Sequence, residues 1–194
     1  MSQNISRMNK WLFLGAFLLV PAAALLGIAG VFFLSEGAIA EIIAMLLSEG
    51  VLALIGMFVG VFYLFPVILF HYRMWAAIYD RGMKISPGLA VALLFVPVVN
   101  LFWIFRLYPG FVRSYNEQVE KSHTALPRLE PSAYQVFPTM LLVSVILGFV
   151  TLFNFRLPLV EIVVGLIAYV YLLIVVSRTC DAVNRLADAV EGRS

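Results

Sequence analysis

The sequence is poor in charge: only 12% of its 194 residues are Asp, Glu, Lys or Arg, against about a quarter in a soluble domain. A single cysteine, Cys180, excludes an internal disulfide. The two histidines, His71 and His123, lie too far apart for the short ligand spacings of a structural zinc site. Thirteen Lys and Arg residues are scattered along the chain and the net charge is only +2, so nucleic acid is not an expected partner. Also missing are the phosphate loop Gly-x-x-x-x-Gly-Lys-Ser/Thr, His-Glu-x-x-His, the Gly-x-Ser-x-Gly elbow and Gly-x-Gly-x-x-Gly. No catalytic residue and no cofactor is therefore expected, although membrane enzymes do assemble sites from single residues on separate helices.

What fills the chain instead is apolar surface, 63% of residues, far more than a soluble core absorbs. The expected fold is an all-α integral membrane protein forming one membrane domain over residues 1–194, with four transmembrane helices plus one re-entrant or interfacial segment. The spans are Trp11–Leu34, Val51–Tyr72, Tyr134–Phe153 and Leu157–Ser177. At 1.5 Å per residue each covers roughly the 30 Å of a hydrocarbon core. Arg7 and Lys10 before the first run imitate a secretory signal, but 24 apolar residues exceed a cleavable core of about 7–15, so the run reads as a retained anchor. Gly56 and Gly60 in the second run have the spacing of a helix-packing seam. The link Asn154–Pro158 is short enough to force the last two spans into an antiparallel hairpin, and residues 38–48, with Glu41 and Glu49, read as interfacial.

Residues 88–105 form an apolar run of 18 residues, long enough to cross but interrupted by Pro97 and Asn100. Proline removes a backbone hydrogen bond and an asparagine amide at depth needs a partner, so Pro97-Val98-Val99-Asn100 reads as the tip of a segment that enters and returns. Charge favours this reading. If the segment returns and the N-terminus is inside, twelve of the thirteen basic residues fall on the inner side and only Arg156 outside. If it crosses, the alternative of five transmembrane helices, the division is six against seven and specifies no orientation.

Candidate functional positions are few. Asn100 either satisfies backbone groups released at the break or binds something within the membrane. His71 lies at the inner end of the second span, where it either rests at the interface or serves a proton or anion pathway. Glu161 follows Pro158 by three residues, a carboxylate placed to complement a helix N-terminus. Three amphipathic stretches, residues 73–81, 111–122 and 178–191, extend past the spans with stripes Met74/Ile78, Phe111/Tyr115/Val119 and Val183/Leu186/Ala187/Val190. These must be buried against each other, against lipid or against another protein. Arg73, Arg81, Lys84, Arg106, Arg113 and Arg178 form a basic belt beside them, suited to anionic headgroups on the cytoplasmic face.

Between Trp75 and Asn116, the order Trp75-Ala76-Ala77-Ile78-Tyr79, Ser86-Pro87-Gly88 and Phe95-Val96-Pro97-Val98-Val99-Asn100-Leu101 resembles a bacterial multi-pass membrane family described only as a domain of unknown function. It departs from that family's pattern at Leu94-Phe95, where paired aromatics are common, and at Asp80, where asparagine is common. The resemblance implies a bacterial inner membrane and several helices. It transfers no catalytic or ligand residues.

The functional expectation is a non-enzymatic inner-membrane subunit or scaffold, with both termini cytoplasmic. It would assemble with a second copy or another membrane protein through its cytoplasmic helical extensions. A small transporter or channel using the Pro97–Asn100 break is the alternative. The lone thiol of Cys180 offers a sidedness label for the C-terminal extension.

Overall fold

A computed structural model describes residues 5–19, 37, 41, 60–79, 85–121, 126–152 and 158–191. The described residues are helical or connecting, with no strand among them. They divide into two compact units, residues 11–70 and residues 1–10 with 71–194. Residues 20–34 of the first expected span and 51–59 of the second, with Gly56, and also Arg81, Lys84, Arg156, the interfacial stretch 38–48 apart from Glu41, and the hairpin link before Pro158 lie outside the described residues.

In the unit of residues 11–70, helix α1 (Lys10–Leu19) meets the start of α2 (Phe65–Ala76) through aromatic edges. Phe13 and Phe17 stand 5.5 and 5.8 Å from Phe70, and Phe17 6.3 Å from Tyr63, all edge to face. A π-turn beginning at Gly60 and ending at Leu64 precedes α2. Pro66 accounts for it: the ring cannot donate to the carbonyl four residues back and crowds it, and a widened turn relieves both.

The second unit is built on two long apolar helices. α5 (Ser132–Leu152) and α6 (Pro158–Glu191) pack along each other, with Tyr134 near Thr179 at one end and Gly165 near Ser144 further along, so they run antiparallel. This is the hairpin expected from the short link. The stretches Ser132–Val150 and Leu159–Glu191 are long and apolar enough to cross a membrane, and only 22% and 17% of their most apolar windows are buried in the chain. Leu159, Ile162, Leu166 and Val170 on α6 and Ile146 and Phe149 on α5 are all more than half exposed. Aliphatic surface of this extent points to a membrane location.

α6 is one continuous helix of 34 residues, about 51 Å, against about 30 Å of hydrocarbon. The expected span and extension are therefore parts of a single rod. Exposure changes along it. Beyond Val175 the side chains of Val176, Thr179, Cys180, Ala182, Val183, Leu186 and Ala187 are buried.

Between α2 and α5 the chain makes a broken helix. Ser86 caps α3 (Pro87–Ala92) by accepting the Leu89 N–H, with Pro87 in the first turn. A 3-10 turn (Leu93–Phe95) follows, and Val96 then leaves helical geometry at φ −93° and ψ 106°. The ring of Pro97 requires this, because it disfavours helical torsions in the residue before it. Pro97 itself opens α4 (Pro97–Lys121). The helix break falls at Val96, directly before Pro97, and α4 continues without interruption into the extension expected at 111–122. Pro109 lies inside α4 without ending it; an interior proline costs one hydrogen bond, and the packed face described below holds the helix together.

Candidate functional site

The buried centre of the larger unit lies where α2, α4, α5 and α6 meet, and it is aromatic. Phe111, Tyr115 and Tyr134 are fully buried, with the Phe111 ring 6.2 Å from each of the other two. Tyr108 stands perpendicular to Phe137 at 5.1 Å. The three amphipathic stripes supply much of this core: Met74 and Ile78, Phe111, Tyr115 and Val119, and Val183, Leu186 and Ala187 are all buried, and Val190 is partly so. Of the three ways to cover them, burial within the chain is the one observed. The first stripe sits on a shorter helix than expected. α2 stops at Ala76, and Ala77 and Ile78 turn away through bonds to Arg73 and Trp75 carbonyls.

His71 is inside this core. It is 5% exposed, with Nε2 2.7 Å from the Tyr108 hydroxyl. The end of α2 turns its polar face inward against α4, and the tyrosine satisfies the ring nitrogen there. A second buried polar pair, the Tyr134 and Thr179 hydroxyls 3.1 Å apart, joins α5 to α6. Neither Tyr108 nor Thr179 carries a sequence signal that separates it from its apolar neighbours.

Two tryptophans hold the broken helix in place. Trp103 on α4 donates its indole N–H to the Ala90 carbonyl on α3 at 2.8 Å. Trp75 donates to the Ile85 carbonyl, also at 2.8 Å, and its ring lies 5.8 Å from that of Trp103. The Trp103 bond holds Ala90 and Trp103 close together across the break at Val96. Phe95, Val98 and Phe102, around the break, are more than half exposed. Asn100 lies one turn into α4. Its backbone N–H meets the Val96 carbonyl at 2.7 Å, while its side-chain oxygen is enclosed without a hydrogen-bond partner. The expected use of that side chain to satisfy released backbone groups is not what is observed. Replacing Trp103 by Phe keeps an aromatic side chain and removes the bond to the Ala90 carbonyl. It should cost about 1–3 kcal/mol in thermal unfolding and loosen residues 87–105 in hydrogen exchange.

A clasp joins the two terminal segments. Asn184 accepts the Met8 N–H through its side-chain oxygen at 2.7 Å and donates its amide to the Met8 carbonyl at 2.9 Å. Lys10 pairs with Asp181 at 2.9 Å, and Arg7 pairs with Asp188 at 2.9 Å and Glu191 at 2.7 Å. Ile5 and Met8 are buried beside these contacts. The same device recurs where Asn116 exchanges hydrogen bonds with both backbone groups of Leu129, at 2.8 and 2.9 Å. Tyr115 adds a bond to the Pro127 carbonyl at 3.3 Å. Its phenol is raised above the ordinary value by burial, against the nearby positive charge of Arg185.

The basic belt is partly neutralised within the chain. Arg113 pairs with Glu117, Arg178 approaches Glu130 at 3.6 Å, and Arg73 donates to the Arg7 carbonyl. Arg106 is exposed, one turn after Phe102. Glu161 lies in the first turn of α6, where its charge complements the helix N-terminus. Gly60 opens the π-turn. Among the described residues no three His, Cys, Asp or Glu side chains gather as metal ligands. Comparison of the chain with protein-family models, with curated proteins and with solved structures gives no match.

Proposed function

We propose that the chain is a non-enzymatic membrane scaffold subunit of four transmembrane helices, with residues 88–105 entering one leaflet and returning, and with both termini cytoplasmic. The clasp carries this reading. Residues 5–10 touch residues 181–191, so both terminal segments share one side of a bilayer, which requires an even number of crossings. The Trp103–Ala90 bond across the break at Val96 and the exposed Phe95, Val98 and Phe102 support a segment that dips and returns. The basic residues then cluster on the side of the termini, where Arg106 lies next to the apolar reversal and would face anionic headgroups. Because the three stripes are already buried, a second copy or another membrane protein would be engaged through the outer polar faces of the helical extensions.

A sidedness label tests this. In a Cys180→Ala background, Arg185→Cys places a thiol at an exposed position of α6. It should react with an impermeant maleimide only after permeabilisation of intact spheroplasts. Labelling from outside would overturn the cytoplasmic termini and the positive-inside argument together.

The second reading, a small transporter using the Pro97–Asn100 break, is favoured by one observation: the Asn100 side-chain oxygen is enclosed without a partner and could accept from a passing solute or water. Proteoliposome flux unchanged by Asn100→Leu would remove it.

A further inference from the structure

The contact between residues 5–10 and α6 has the composition of a peptide complex. One asparagine, Asn184, reads both backbone groups of Met8, as a neighbouring strand would. Two aliphatic side chains, Ile5 and Met8, alternate with two basic ones, Arg7 and Lys10, which face Asp181, Asp188 and Glu191 on successive turns of one helix face. Residues 5–9 belong to no helix or strand. The ion pairs of Arg7 are exposed, with all three side chains near 60% accessible, so they select charge and hold the segment weakly. The clip of Asn116 on Leu129 is different in kind, because α4 and α5 fix that loop at both ends.

We propose that the Asp181–Asn184–Asp188 face of α6 is a binding surface for a short basic segment, occupied in cis by residues 5–10 and open to exchange with the same segment of a second copy. Every group that recognises the segment in cis is available in identical form in trans, which is the condition for segment exchange between like chains. Tethering favours the cis occupant in dilute protein, and crowding in a membrane favours exchange. This inference rests on the terminal segments lying together and not on which side of the bilayer they occupy, so it is tested in detergent.

Two measurements decide it. In the wild-type chain, the Met8 amide should exchange hydrogen well before the amide of Val183 within α6, and faster as salt is raised. Exchange of Met8 only together with Val183 overturns the proposal, because the segment would then be a fixed part of the core. In the full-length Arg7→Glu/Lys10→Glu variant, a dye-labelled peptide of residues 1–10 should bind saturably. Binding should be at least about tenfold weaker when Asn184→Ala is added, the loss expected for two hydrogen bonds. Failure to bind a variant whose helical circular dichroism is intact, or equal binding of a scrambled peptide, overturns it.

Discussion

Cys180 should react with maleimide about a thousandfold more slowly than an exposed thiol in the same buffer. Burial pushes its thiol from 9.0 up to about 12; the adjacent Asp181 carboxylate adds to the rise and Lys10 opposes it. The thiolate is the reacting form, and its fraction below the pKa falls tenfold per pH unit, so three units account for the factor before steric exclusion is counted. The rate should climb tenfold for each unit of pH until it levels near 12, or until the fold opens. The native state favours the protonated thiol, so the associated stability is fully present below about 9 and is lost as pH rises from there toward 12. Labelling at the rate of an ordinary thiol at neutral pH would mean that α6 opens around Cys180. A buried thiol is also no reporter of sidedness in the native chain, and this is why the topology test uses Arg185→Cys.

Phe111→Ala should be the most damaging single change outside the apolar stretches, at about 3–5 kcal/mol. Phe111 is fully buried and wedged between Tyr115 and Tyr134, so its loss removes ring contacts on two sides and leaves a cavity where α4 meets α5. Ile162→Ala offers the contrast. That residue is 61% exposed on the apolar half of α6, and its truncation should stay within about 0.5 kcal/mol. Thermal unfolding in one detergent, followed by circular dichroism, compares the two. Equal effects would mean that the aromatic core does not dominate stability.

The apolar helices were legible in the sequence because hydropathy and length alone specify them. The expected Tyr134–Phe153 became Ser132–Leu152, and the expected span and extension after Leu157 became one helix from Pro158 to Glu191. The periodic stripes were equally legible, since apolar spacing marks the face that will be covered. What covers them was not, because that depends on which helices the tertiary fold brings together. Pro109 shows the limit of local reasoning. Proline is a breaker on local grounds, yet Leu107, Tyr108, Phe111 and Val112 on either side of it are buried and keep α4 in line. The His71–Tyr108 pair and the Asn184 clip joined residues 37 and 176 positions apart. Single polar side chains at such separations leave no pattern in a sequence.

α6 has one more property that follows from its length. It carries no proline after its first residue, and it passes from the apolar stretch to Glu191 without a joint. A bilayer thinner or thicker than the apolar stretch changes the tilt of such a rod. Because the helix is stiff, its far half must swing with it, carrying Asp181, Asn184 and Asp188. Under the proposed spanning arrangement, the thickness of the surrounding membrane would act as a lever on the seat of the N-terminal segment.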